Sequence, residues 1–190
     1  MVAPTVSELL GRAGAAVHVI ERTAAGAPGK VLAQLAALAP WLSIATARAA
    51  DARCPRVRVE GVRPHGEITF LGPVEGRQLE PFVWLLHELS SGEPSYETPA
   101  TAALLSELER NLALTLAVSA TCPYCPALAS TVLRFAQASP RIDVVIARAD
   151  LGCLTGPVRS VPTLLADGVV VAKGPVGEYA LAQKLLAAGV

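Results

Sequence analysis

Two of the chain's four cysteines stand three residues apart in Cys122-Pro123-Tyr124-Cys125. Thiols at that spacing, placed where a strand gives way to a helix, can close and reopen a small disulfide ring with little backbone movement, so the chemistry in view is two-electron exchange. The thiolate is the nucleophile, and unpaired N–H groups with the macrodipole at a helix N-terminus lower a thiol pKa from about 8.5 to within roughly 3.5–7.5. Cys122, at the helix entrance, is therefore the expected nucleophile, and Cys125, a turn further in, the more buried resolving thiol. Pro123 stiffens the loop through its fixed φ, and Pro126 begins the helix where a missing N–H costs little. Tyr124, between the cysteines, is expected to meet substrate by stacking or shape. A zinc site would need a second pair of ligands, and Cys54 and Cys153 stand apart with no His near them. The non-enzyme alternative is a metal or iron–sulfur module that uses Cys122 and Cys125 across a dimer.

The elements that position this pair occur twice. Ser7-Glu8-Leu9 is matched by Ser106-Glu107-Leu108 at an offset of 99, Thr23 by Thr121 at 98, Pro40 by Pro140 and Ala47-Arg48-Ala49 by Ala147-Arg148-Ala149 at 100, and Gly72-Pro73-Val74 by Gly174-Pro175-Val176 at 102. Serial matches with so little drift imply a duplicated unit. The turn formers of Ser90–Pro99 put the boundary between a unit of residues 1–95 and one of 96–190. Thr23-Ala-Ala-Gly-Ala-Pro28 aligns with Thr121-Cys-Pro-Tyr-Cys-Pro126, so Ala24 and Ala27 stand where the second unit has thiols. Only the second unit can do dithiol chemistry.

Each unit reads alike. A capping box at Thr5–Glu8, and Thr98 followed by Pro99, open leading helices. Ala15–Glu21 and Leu112–Ser119 read as strands feeding helices near Pro28–Ala39 and Pro126–Ala138. Leu42–Ala47 and Ile142–Ala147 read as second strands. A proline then opens a hairpin, at Pro55 and at Pro162, and the second hairpin carries the Asp167-Gly168 turn signal. Leu79–Leu89 and Glu178–Ala188 read as closing helices with apolar residues near helical spacing. The expected fold is α/β, with one continuous mixed sheet flanked by helices on both faces.

Cys-Pro-Tyr-Cys after a strand, with Ser160-Val161-Pro162-Thr163 opening a later one, resembles the thioredoxin and glutaredoxin fold. The resemblance implies a cis Pro162 facing the dithiol, and a Val161 backbone that pairs with the substrate chain. A dithiol-free unit fused to an active one is similar to the N-terminal domain of the alkyl hydroperoxide reductase flavoprotein subunit, and more distantly to tandem protein disulfide oxidoreductases. Phe70–Gly76 leading into Phe82–Leu89, then Ser119–Pro126, Ser139–Ile142 and Ser160–Pro162 carry that likeness over roughly residues 5 to 188. It implies a protein disulfide substrate, a peroxiredoxin by resemblance, and no cofactor beyond a redox-active disulfide. The chain has no Gly-x-Gly-x-x-Gly, so electrons are expected from a separate flavoprotein reductase or from glutathione. A glutathione-dependent glutaredoxin is the alternative, although Gly174-Pro-Val-Gly-Glu178 departs from the glutaredoxin Gly-Gly-x-Asp pattern. In the reductase family an acid precedes the dithiol on its strand, and here Thr115 stands at that place.

Sixteen Lys and Arg balance sixteen Asp and Glu, which argues against a nucleic-acid partner. No apolar run approaches the roughly 18 residues of a membrane span, no secretory leader is evident in Met1–Thr5, and four cysteines are too few for a disulfide-stapled scaffold. A soluble cytoplasmic protein is expected. Cys54 is read as a buried structural thiol, with a regulatory or resolving thiol as the alternative, and Cys153 as a loop thiol that could receive a disulfide from Cys125. Arg56 and Arg58 read as the charged guard of an edge strand, or as a docking face for an acidic partner. The three histidines read as structural or solvated. Trp41 and Trp84 read as core or interface residues, with Trp84 in an apolar run that buries between the halves.

Overall fold

The structure, a computed structural model, describes residues 5–11, 14–49, 53–154, 156 and 158–188; residues 1–4, read above for a leader, lie outside them. In the leading helix Val6–Leu10 (α1), the Glu8 amide donates to Thr5 Oγ1 at 3.3 Å while Thr5 N donates to the Glu8 carboxylate at 2.7 Å, the expected capping box. Strand Val17–Thr23 (β1), helix Lys30–Leu38 (α2) and strand Leu42–Arg48 (β2) follow, then the hairpin Arg56–Glu60 (β3) and Ile68–Leu71 (β4), and helix Leu79–Ser91 (α3). That helix ends at Gly92 in the left-handed region, φ 73°, which glycine adopts without a Cβ clash. The second series is helix Pro99–Ser106 (α4), strand Leu112–Val118 (β5), helix Cys125–Ala138 (α5), strand Ile142–Arg148 (β6), hairpin Thr163–Ala166 (β7) and Val169–Lys173 (β8), and helix Glu178–Ala188 (α6). At the hairpin tip both Asp167 and Gly168 have positive φ, 49° and 81°, the two-residue geometry the sequence signalled.

All eight strands form one sheet in the order β2-β1-β3-β4-β6-β5-β7-β8. Each half contributes four strands in the same spatial order, and the halves join where β4 runs parallel to β6, with Ile68 opposite Val144 and Phe70 opposite Ile146. β3 lies between β1 and β4, so the reading of Arg56 and Arg58 as guards of an edge strand is corrected: they are on an interior strand.

The helices also depart from expectation. α3 packs on α1 and α5, α4 packs on α5 and α6, and α1 touches α2, so the six form one layer on one face. The opposite face bears no helix among the described residues, because the segments after β2 and β6 contain nothing longer than the 3-10 turn Ala149–Leu151. Alternation along the strands follows from this. Val17, Val19, Val57, Val59, Ile68, Phe70, Val144, Ile146, Leu114 and Leu116 are buried under the helices, while His18, Arg22, Arg56 and Arg58 are exposed on the bare face. Phe82 of α3 meets Phe70 edge to face, with ring centroids 5.1 Å apart. Trp84 is half-buried, packing against the edge of this core while also lining a surface pocket with Val6, Leu9 and Glu80, so it is not enclosed between the halves. No helix of the described residues is long and apolar enough to cross a membrane.

Among the contacts that tie the halves besides the sheet, two stand out, an ionic node and a disulfide. Arg134 of α5 reaches Glu88 of α3 at 3.1 Å and Glu178 of α6 at 3.8 Å, and Glu88 also accepts from Gln137 and from the Ser95 amide. The second contact is a disulfide between Cys54 and Cys153. The expectation of a buried Cys54 thiol and of Cys153 as a partner for Cys125 is thereby corrected: each is half-exposed and bonded to the other. The strand order brings together the segments after β2 and β6, which sequence distance had kept apart.

Candidate active site

β5 ends at Val118 and α5 begins at Cys125, and the six residues between them hold the rest of the motif. The motif therefore bridges a strand end and a helix start, as the spacing predicted. Cys122 and Cys125 are joined in a disulfide. Cys122 keeps 6% exposure while Cys125 has none, an order that suits attack at Cys122 and resolution from beneath. Pro123 is exposed, and Tyr124 stands out at 60% exposure, the largest aromatic surface beside the pair. Leu128 and Val132, one and two turns along α5, are buried and fix the helix on the sheet.

The Val161–Pro162 peptide is cis, as the resemblance implied. Pro162 is buried and stands immediately before β7, where Thr163 pairs with Ala117 of β5. It thus lies at the end of the sheet from which the dithiol loop emerges. The Pro162 carbonyl accepts from Gly174 N at 2.9 Å, and Thr163 Oγ1 donates to the Ser160 carbonyl at 2.7 Å, which holds the Ser160–Thr163 bend. Val161 is half-buried.

The first half supports this loop. Arg77 N donates to the Ala120 carbonyl at 3.0 Å, and Gln78 Nε2 donates to the Ser119 carbonyl at 3.3 Å. Gly76 makes that approach possible: its φ is +60°, and a Cβ there would stand 2.7 Å from the Ala120 carbonyl oxygen. On the other side, Ala120 N donates to Asp150 at 3.4 Å. Asp150 is held ionised, well below the usual carboxylate range, first by its hydrogen bonds to Arg148 and with help from the Ala120 amide, against some desolvation. Arg148 is buried and also donates to the Pro73 carbonyl at 3.1 Å and to Glu75 at 3.4 Å.

Gly76, Gln78, Arg148 and Asp150 are the residues that motif reading missed. Arg148 was visible within the Ala-Arg-Ala repeat, but its partners come from a strand junction that no local pattern marks. Thr115, which stands where the related reductases carry an acid, pairs with Val145 and Leu165 on the bare face, away from α5. The histidines serve structure: His65 Nε2 accepts from Gly61 N at 2.8 Å, and His87 contacts the Leu9 carbonyl. No cluster of three or more His, Cys, Asp or Glu suited to a metal occurs among the described residues.

The arrangement defines a thioredoxin-like α/β fold built twice, with one dithiol. The structure superposes on the NTD_N/C domain of alkyl hydroperoxide reductase AhpF from Enterococcus faecalis with a TM-score of 0.76 at 16% identity, covering 97% of this chain and 96% of that one. It is likewise similar to a protein disulfide oxidoreductase from Aeropyrum pernix, with a TM-score of 0.78 at 22% identity over 97% of this chain and 90% of the other. No protein-family profile matches the sequence, and no curated protein does.

Proposed function

We propose that the protein is a thiol–disulfide oxidoreductase that passes electrons through Cys122 and Cys125 to a protein disulfide. The observation that carries this reading is the closed Cys122–Cys125 pair at a strand-to-helix junction, its outer member still touching solvent and its inner member buried. In the reduced protein, the Cys122 thiolate attacks one sulfur of the substrate disulfide. A mixed disulfide forms and the substrate's other sulfur leaves as thiolate, taking up a proton. Cys125, deprotonated in turn, attacks Cys122 Sγ, closes the intramolecular disulfide and releases the second substrate thiolate. No carboxylate lies on β5 to take the Cys125 proton, so water reaching the loop is the proton acceptor in this scheme.

Tyr124 and Pro123 form the exposed rim on which a substrate chain rests, and the Val161 backbone beside Pro162 is offered to that chain as an added strand. The unit of residues 1–95 has no thiols at Ala24 and Ala27 and serves as a support for the unit of 96–190, through Gly76–Gln78. The substrate is a peroxiredoxin disulfide and the electron donor a separate flavoprotein reductase or glutathione, in a cytoplasmic setting. The two similar structures, one a domain of an alkyl hydroperoxide reductase and one a protein disulfide oxidoreductase, support the class.

The test is reduction of insulin and of a peroxiredoxin disulfide by the wild-type chain, Cys122→Ser and Cys125→Ser. Cys122→Ser loses all turnover, and Cys125→Ser stalls as a mixed disulfide visible by mass; normal turnover in both sinks the proposal. Driving the assay with glutathione alone and with a flavoprotein reductase separates the two donors.

A further inference from the structure

The bond between Cys54 and Cys153 takes no part in the exchange just described. The two residues lie 99 positions apart, each in the segment between the second strand of its half and the hairpin that follows. Both residues are partly exposed.

The surroundings couple this bond to the seam between the halves. Gly72 follows β4 with φ +107°, and a Cβ there would stand 2.6 Å from Arg148 Cγ and 3.4 Å from Cys153 Sγ. Gly72 N donates to the Pro55 carbonyl at 2.8 Å, next to Cys54, and Cys153 N donates to the Arg148 carbonyl at 3.0 Å. The disulfide therefore meets the ends of β4 and β6 at one place. From that place Arg148 holds Pro73, Glu75 and Asp150, and Asp150 holds the amide of Ala120, two residues before Cys122.

We propose that Cys54–Cys153 is a second, reversible redox centre, a clamp across the seam whose state sets how firmly the loop bearing Cys122 is held. The reductant class is a low-molecular-weight thiol. Its thiolate attacks Cys54 Sγ, forming a mixed disulfide as the Cys54–Cys153 bond breaks. The electron pair leaves with Cys153, which takes a proton from solvent. A second thiolate attacks the small-molecule sulfur of the mixed disulfide and frees Cys54 as thiolate, also protonated by solvent. The small-molecule disulfide departs, so two thiols are oxidised and one protein disulfide is reduced. Attack at Cys153 Sγ with Cys54 as the leaving sulfur balances in the same way.

With the clamp open, the seam keeps the β4–β6 ladder, but the segments holding Gly72 and Arg148 lose their covalent tie. The proposal needs this geometry and does not depend on turnover at Cys122. The experiment equilibrates the full chain in graded glutathione buffers, traps thiols with maleimide and maps them by peptide mass, with amide exchange measured on the same samples. The expected result is that Cys54 and Cys153 open and close as a pair while the chain stays folded. In Cys54→Ser/Cys153→Ser, the amides of Arg77 and Ala120 are expected to exchange about tenfold faster than in the oxidised wild type. Free Cys54 and Cys153 thiols in the oxidised protein, opening of the pair only on unfolding, or unchanged exchange at Arg77 and Ala120 in the double variant each overturn it. An inactive dithiol with this pattern of thiols and exchange intact counts against the proposed oxidoreductase reading alone.

Discussion

Arg148 grips Asp150 with two parallel hydrogen bonds, Nε to Oδ1 at 2.9 Å and Nη2 to Oδ2 at 3.0 Å. Bidentate pairs of this kind fix orientation as well as charge. Asp150 can therefore present its carboxylate to the Ala120 amide only from one direction, while the other end of Arg148 is held by the Pro73 carbonyl of the first half. The dithiol loop is thus set by both halves at once, which gives the half without a Cys-x-x-Cys pair a physical reason to be there.

Acid sensitivity should expose this pair. The bonds to Arg148 hold the Asp150 carboxyl down in the folded protein, so folding favours the ionised form. That contribution is full above the unfolded carboxylate value of about 3.9 and is lost as pH falls through the lower folded value. Asp150→Asn should therefore reduce the stability difference between pH 7 and pH 3 in urea unfolding. The side chain is 34% exposed, so solvent screening limits the effect to about 1 kcal/mol or less. Asp167, held down likewise by Arg110, leaves residual acid sensitivity in the variant. An equal pH slope in wild type and variant contradicts the assignment.

The buried node around Arg134 should be asymmetric to mutation. Arg134 is the cation facing two carboxylates whose side chains are 3% and 0% exposed, Glu88 and Glu178. Removing it strands both charges, whereas Glu88→Gln strands neither and keeps an acceptor for the Ser95 amide. Arg134→Met should cost roughly 3–5 kcal/mol and Glu88→Gln about 1–3 kcal/mol, read from denaturant midpoints. A larger loss in Glu88→Gln would mean that the node is organised by its acid and not by its base.

Much of this architecture was legible because local signals and the repeat agreed. The Thr5–Glu8 box, the Thr98-Pro99 start and the Asp167-Gly168 turn each encode their own backbone, and the drifting offsets aligned Ala24 and Ala27 with the two thiols. What was hidden depended on which elements meet. The β4–β6 junction follows from neither strand's pattern, and it alone creates the Cys54–Cys153 bond and the reach of Arg148 to Pro73. The bare face was hidden for a related reason. Strands such as Val17–Thr23 alternate in a way that shows one buried side, but helical periodicity does not say on which side each helix lies. Thr115 could be placed on β5 by sequence, yet its direction follows only from Leu114 and Leu116 facing the helices.

Tyr96 should ionise only at high pH. Burial first, then the charges of Glu88 and Glu178, push its pKa up to about 12, with Arg134 opposing. A raised folded value means the neutral phenol is favoured by folding. Its contribution is complete below the unfolded value of about 10 and lost as pH rises from there to about 12. Ultraviolet titration should show a phenol phase near pH 12, and Tyr96→Phe should remove that phase. The variant also loses the bond from Tyr96 Oη to the Arg134 carbonyl at 3.1 Å, at about 1 kcal/mol near neutral pH, yet should be less sensitive to alkali than wild type. A titration with no phase that Tyr96→Phe removes near pH 12 would contradict the burial argument.

On the bare face, Arg22 of β1 stands directly opposite Arg56 of β3. Both side chains are exposed, and among the described residues no ion pair engages either, whereas neighbouring Arg58 is satisfied by Glu60 at 3.0 Å and Glu67 at 3.1 Å. Like charges facing across adjacent strands destabilise a sheet, and opposite charges at the same sites stabilise it, by roughly 0.2–1 kcal/mol. Arg56→Glu should therefore raise the urea midpoint at low salt, although it replaces one charged residue by another. Because both groups are in water, the gain should shrink in 1 M salt, where the screening length is only about 3 Å. A variant less stable than wild type at low salt would show that Arg56 stabilises the sheet through its aliphatic stem more than its charge opposes Arg22.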